Sequence, residues 1–219
     1  MNVSLRPLVT TVVLVAALVL ARPAQAGPPL LCHPFDIGSA ASLPWNGQQG
    51  WFDAKTDYPM SRLVADTDAL LGPSTPILVR IETLRRASIY ASRDPQVAAA
   101  LLERLTAKTR QAATPDPLAL LDLAYATEAL RQITMTGGVM GYKDRVGAIR
   151  DVIRDRDGWV HMKASLAARP DDPALQFAAA LIASDKDQGA YLEHARRARA
   201  GASTDALLAR NLQHIAGAR

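Results

Sequence analysis

One cysteine in 219 residues excludes an internal disulfide framework and any metal centre built from paired thiolates. Aromatic side chains make up only 5% of the chain, so its core has to be assembled from aliphatic residues and alanine. Glutamate is just as sparse. Glu82, Glu103, Glu128 and Glu193 are scattered along the chain, with no Gly-x-Ser-x-Gly elbow, no His-Glu-x-x-His pair and no phosphate-cradling Gly-rich loop carrying a lysine. Alternating β-branched residues bounded by turn formers are missing too, which argues against a strand ladder. Long apolar runs are confined to one place, Val9 to Ala21.

That run follows Arg6 and precedes Arg22-Pro23 and the small-residue triplet Ala24-Gln25-Ala26. Basic residue, apolar stretch and small-residue site occur in the order read by signal peptidase, so residues 1–26 are expected to be a cleavable signal peptide, cut near Ala26. The run is shorter than the roughly 20 residues of a permanent span, so no stable membrane span is expected after cleavage. Leu31 before Cys32 does not suit a lipid-acceptor cysteine. Removing Arg6 and Arg22 leaves 23 Lys+Arg against 21 Asp+Glu, a net charge of 23 − 21 = +2. This near balance gives no electrostatic case for nucleic acid. The remaining 219 − 26 = 193 residues suit one domain in a secreted or periplasmic setting.

Residues 27–58 are punctuated by Pro28, Pro29, Pro34, Gly38, Pro44, Gly47 and Gly50, the pattern of an irregular arm. From residue 59 to 219 apolar residues recur at three and four, the helical period. Met60, Leu63, Val64, Leu70 and Leu71 form one stripe, stopped by Gly72-Pro73, and Ile77, Ile81 and Leu84 begin the next. Asp94-Pro95, Asp116-Pro117 and Asp172-Pro173 each pair a capping carboxylate with a proline suited to the first helical position. They predict helices over 95–112, 117–134 and 173–184. Val146, Ile149 and Ile153 mark a further helix that Asp157-Gly158 is expected to close. With 159–168, 187–200 and 204–215 the total is about nine helices. Short polar connections make neighbours antiparallel, so the fold expected is all-α, a set of stacked antiparallel helical hairpins behind an irregular N-terminal arm.

Residues 171–204 span 34 positions and place small Ala178 and Ala190 twelve apart, which resembles one tetratricopeptide repeat, although Phe177, His194 and Arg197 depart from its pattern. The resemblance implies a curved stack of helix pairs and a binding or scaffolding role. It assigns no binding residue.

Two strings in the arm offer chemistry. Cys32-His33 joins a thiol to an imidazole, a candidate for metal ligation or redox work, against which stands a plain packing role for a small buried cysteine. Trp45-Asn46-Gly47-Gln48-Gln49-Gly50-Trp51-Phe52 sets indoles among amides, a candidate sugar or peptide site through Trp45, Trp51, Asn46 and Gln48, or else an aromatic plug for the helical stack. Asp155-Arg156-Asp157-Gly158 misaligns with a calcium loop and reads as a solvated helix end. The cations of Arg196, Arg197 and Arg199 suit a helix C-terminus or, alternatively, a polyanion. Thr136 to Tyr142 reads as a glycine-rich helix connection. Taken together, these features lead us to expect an exported protein-interaction or envelope-assembly module without catalytic role or cofactor. Its partner would be another envelope or secreted protein. The rivals are a small-ligand binder at the Trp loop and a metal or redox protein at Cys32 and His33.

Overall fold

The computed structural model describes residues 29–47, 53–111, 114–136 and 143–215. Residues 1–26, Gln48, Trp51 and the glycines of the 137–142 connection lie outside that set. The described residues hold nine α-helices and no strand: α1 Leu63–Leu70, α2 Ile77–Ala91, α3 Pro95–Gln111, α4 Pro117–Thr136, α5 Lys143–Ile153, α6 Gly158–Ala168, α7 Pro173–Ala183, α8 Gln188–Gly201 and α9 Ala206–Asn211. The protein is all-α, built of packed helix pairs.

Aspartate opens most of these helices. Asp94 accepts from Gln96 N at 2.8 Å, Asp116 from Leu118 N at 2.9 Å, and Asp172 from Ala174 N and Leu175 N at 3.0 and 3.1 Å, each ahead of a proline. The carboxylate satisfies amides that have no partner in a first turn, and proline removes one such amide outright. Asp187 and Asp205 cap α8 and α9 in the same way. Asp157 corrects the expectation drawn from sequence. It begins a helix instead of ending one: its carboxylate accepts from Trp159 N at 2.9 Å, and α6 starts at Gly158. The helix expected over 204–215 is interrupted as well. It is α-helical only through Asn211 and tightens to 3-10 geometry over Leu212–Ile215.

The central element is α4, which packs against α2, α3, α5, α6 and α7. Fifteen of its residues, from Leu118 to Ile133, are buried. α2 and α7 are almost as enclosed, and α7 pairs most extensively with α8. These three inner helices carry the greater part of the core, each buried leucine or isoleucine contributing about 1.5–3 kcal/mol of transfer free energy. Close approach of α6 to α4 rests on Gly158. A Cβ there would lie 2.6 Å from Ala124 O and 2.7 Å from Glu128 Cγ.

The inner helices also enclose charge. Arg80 forms a bidentate pair with Asp122, Nε–Oδ1 at 2.8 Å and Nη2–Oδ2 at 2.7 Å, with both side chains no more than 2% exposed. Its remaining donors reach Gly72 O and Leu71 O, just past α1. One guanidinium thus joins α2 to α4 and caps α1. A buried ion pair holds only when its other hydrogen-bonding capacity is also met, and here it is.

Candidate functional site

The arm crosses the inner helices, and the contact is polar to a degree its sequence does not announce. Leu30 donates its amide to Gln132 Oε1 at 3.0 Å, while Tyr125 donates its hydroxyl to Leu30 O at 2.9 Å; both side chains belong to α4. Arg85 of α2 donates to Leu31 O at 3.1 Å, and Phe35 donates its amide to Glu82 Oε2 at 3.1 Å. Asn211, ending α9, accepts from Asp36 N at 2.8 Å and donates to Asp36 O at 2.9 Å. Further along, Arg86 reaches Leu43 O at 2.7 Å and Tyr90 reaches Pro44 O at 2.6 Å. Arg93 closes on Ala54 O and Lys55 O. The described residues of the arm form no helix or strand, so their amides and carbonyls need outside partners, and side chains of α2, α4 and α9 supply many of them.

Between these bonds, Leu30, Leu31 and Phe35 are buried, with Phe35 edge-on to Phe177 of α7 at 5.9 Å between ring centres. The grip centres on Glu82, which is fully buried and receives Arg85 Nε at 2.7 Å, Arg86 Nε at 2.7 Å and the Phe35 amide. Arg85 is fully buried too. Spacings of three and four set Arg85 and Arg86 on the same side of α2 as Glu82. Glu82, Arg85, Arg86, Gln132 and Asn211 were not singled out from sequence. For Glu82, Arg85 and Arg86 the signal is the run Ile-Leu-Val-Arg-Ile-Glu-Thr-Leu-Arg-Arg, in which charges break an otherwise apolar helix; Gln132 and Asn211 carry no such signal.

The arm's own candidate residues take different places. Trp45 is half-buried, with Arg85 Cζ 4.9 Å and Arg86 Cζ 5.7 Å from its ring centre and Tyr90 edge-on at 5.9 Å. It packs on the arginine pair that holds the arm. Asn46 is exposed and donates its amide to Asp53 O at 2.9 Å, bringing the two ends of the Trp loop together. Gln48 and Trp51 belong to the residues not described. Cys32 is free and half-buried, and burial raises its thiol pKa, with Arg85 pulling the other way. That direction is opposite to the one a reactive thiolate needs. His33 lies 5.7 Å from His214, ring centre to ring centre, and the described residues contain no cluster of three His, Cys, Asp or Glu able to hold a metal ion.

His214 has a buried, unpartnered Nε2, and its pKa is lowered to about 4, first by burial and then by His33. Of the α8 arginines, Arg197 is paired with Glu193 at 2.8 Å and Arg199 donates to Ile215 O, so two of the three candidate polyanion contacts serve the fold. Glu128 performs a similar task deeper in, accepting from Gly158 N at 2.9 Å and pairing with Lys186 at 2.7 Å. No protein-family model matches the chain, and neither any curated protein nor any solved structure does.

Proposed function

We propose that the chain is an exported helical module that binds another envelope or secreted protein through the inner surface of α2, α4 and α7, where its own arm is the resident occupant. The observation that carries this reading is the way the arm is held. Gln132, Tyr125, Arg85, Glu82 and Arg86 contact backbone atoms of the occupant, a mode indifferent to sequence, and leave selection to apolar sites beneath Leu30, Leu31 and Phe35. A surface of this kind accepts other extended segments with bulky apolar residues at the same spacing. The weak likeness of residues 171–204 to a tetratricopeptide repeat supports the same role.

The test is exchange. A protease site inserted after Gln48 lets the arm be cut while it stays docked, and unrelated peptides carrying apolar residues at the spacing of Leu30, Leu31 and Phe35 are then added. Release of the cut fragment, counted by mass spectrometry while the body stays folded by circular dichroism, is the expected result. If only peptides of the arm's own sequence exchange, or if the body unfolds when the fragment leaves, the surface is a fixed part of the core and the reading is wrong.

A further inference from the structure

A second concavity lies away from the arm, where α3, α4 and the α5–α6 turn meet. Two adjoining hollows of about 270 and 280 Å³ share Thr106, Arg110 and Arg156. The first is floored by Leu123 and Thr127 of α4 and walled by Thr109, Asp155 and His161. Its polar groups are sorted by what they have left to offer. Thr109 donates its hydroxyl to Thr106 O at 2.8 Å and Thr127 donates to Leu123 O at 2.7 Å. A hydroxyl that has given its proton to its own helix can only accept, so both present lone pairs.

Asp155 adds a carboxylate with no ion pair or hydrogen bond among the described residues. Three acceptors with no proton of their own match the three donors of an ammonium group. Arg110 supplies the opposite need. Its guanidinium has no partner among the described residues, whereas Arg156 is tied to Thr106 Oγ1 at 3.2 Å and Val152 O at 3.3 Å. The first hollow therefore carries two cations, Arg110 and Arg156, against two carboxylates, Asp155 and Asp157. A net anion and a net cation are each disfavoured by half of that lining. Burial lowers the pKa of His161, leaving a neutral ring with one donor and one acceptor.

We infer that this hollow is a binding site for a small zwitterion of the free α-amino acid class, its ammonium held by Thr109, Thr127 and Asp155 and its carboxylate by Arg110. The site shares no residue with the arm seam, so it stands or falls independently of the peptide-binding role. Its volume holds one such molecule and excludes a folded partner.

The twenty free α-amino acids, titrated one by one into the full processed protein by calorimetry, provide the test. At least one is expected to saturate, and Arg110→Gln and Asp155→Asn are each expected to weaken it by about tenfold or more. Both positions are exposed and unpaired, so neither change should shift thermal unfolding. The N-acetyl and carboxamide forms of the same amino acid, which each lack one charge, are expected to bind at least about tenfold more weakly. NMR on the unsubstituted protein gives a second readout, in which the backbone amides of Thr109, Thr127 and His161 shift on titration. Failure of every amino acid to saturate by about 10 mM, equal binding of the blocked forms, or shifts confined to other surfaces overturns the assignment.

Discussion

Glu82 shows how much can depend on one side chain. It is enclosed with Arg85, and it answers Arg86 and the Phe35 amide at once. Changing Glu82 to Ala leaves a buried guanidinium without its counter-ion, and such losses cost about 3–5 kcal/mol. Urea unfolding of Glu82→Ala is expected to show that loss, with Glu82→Gln less affected because the amide oxygen can still accept. A variant that unfolds at the wild-type midpoint would mean the network is decorative. His214 behaves in the opposite sense to a paired histidine. Its pKa is lower folded, about 4, than its ordinary 6.5, so the unfolded chain binds the proton more readily. Its contribution is complete above pH 6.5 and is lost as pH falls toward 4. His161 and His194, also lowered by burial, act in the same direction. Chemical unfolding between pH 7 and 5 should show stability declining, and His214→Asn should make that decline shallower.

Helix by helix, the starts were readable from sequence because their physics is local. Aspartate two or three residues from an unpaired amide, followed by proline, carries the same meaning in any context, and α3, α4 and α7 begin where that pair predicts. Asp157-Gly158 was misread because glycine after a carboxylate suits both a stop and a start. The deciding factor is the approach of α6 to α4, with Gly158 N held by Glu128 Oε1. Two glycines separate packing from propensity. Gly158→Ala forces a Cβ against backbone at 2.6 Å and is expected to destabilise by about 1–3 kcal/mol. Gly147, mid-way along α5 with nothing within 4 Å of a new Cβ, should gain about 0.5–1 kcal/mol as alanine. Thermal melts of the two variants should move in opposite directions.

For the whole molecule, the question is whether the arm is a tail or part of the body. A segment joined to α2, α4 and α9 through its backbone detaches only when those bonds break together, and under the proposed exchange it does so with the body still folded. The amides of Leu30 and Phe35, bonded to Gln132 and Glu82, should be protected from solvent yet exchange faster than those in the middle of α4, because the arm can open with the body intact. Exchange at both as slow as in α4 would show the arm leaving only with global unfolding, and unprotected exchange at both would show that it is not docked. Protection short of that in α4 sets the terms for the proposed peptide capture, in which a partner would displace a docked segment and not merely enter an open groove.

The helical class, the helix starts and the irregular composition of residues 27–58 were all contained in the order of residues, since periodicity, capping and proline act over a few positions. What the fold alone decided is which charges are inside. Arg80, Glu82, Arg85 and Asp122 lie in the protein interior because the arm and α4 close over α2, and they are tolerated there because partners distant in sequence arrive at hydrogen-bonding distance. The same long-range closure set Trp45 against two arginines and brought Arg110 and Asp155 to the lining of one hollow. Burial of a charge is a property of what comes to lie against it, and no local pattern encodes that.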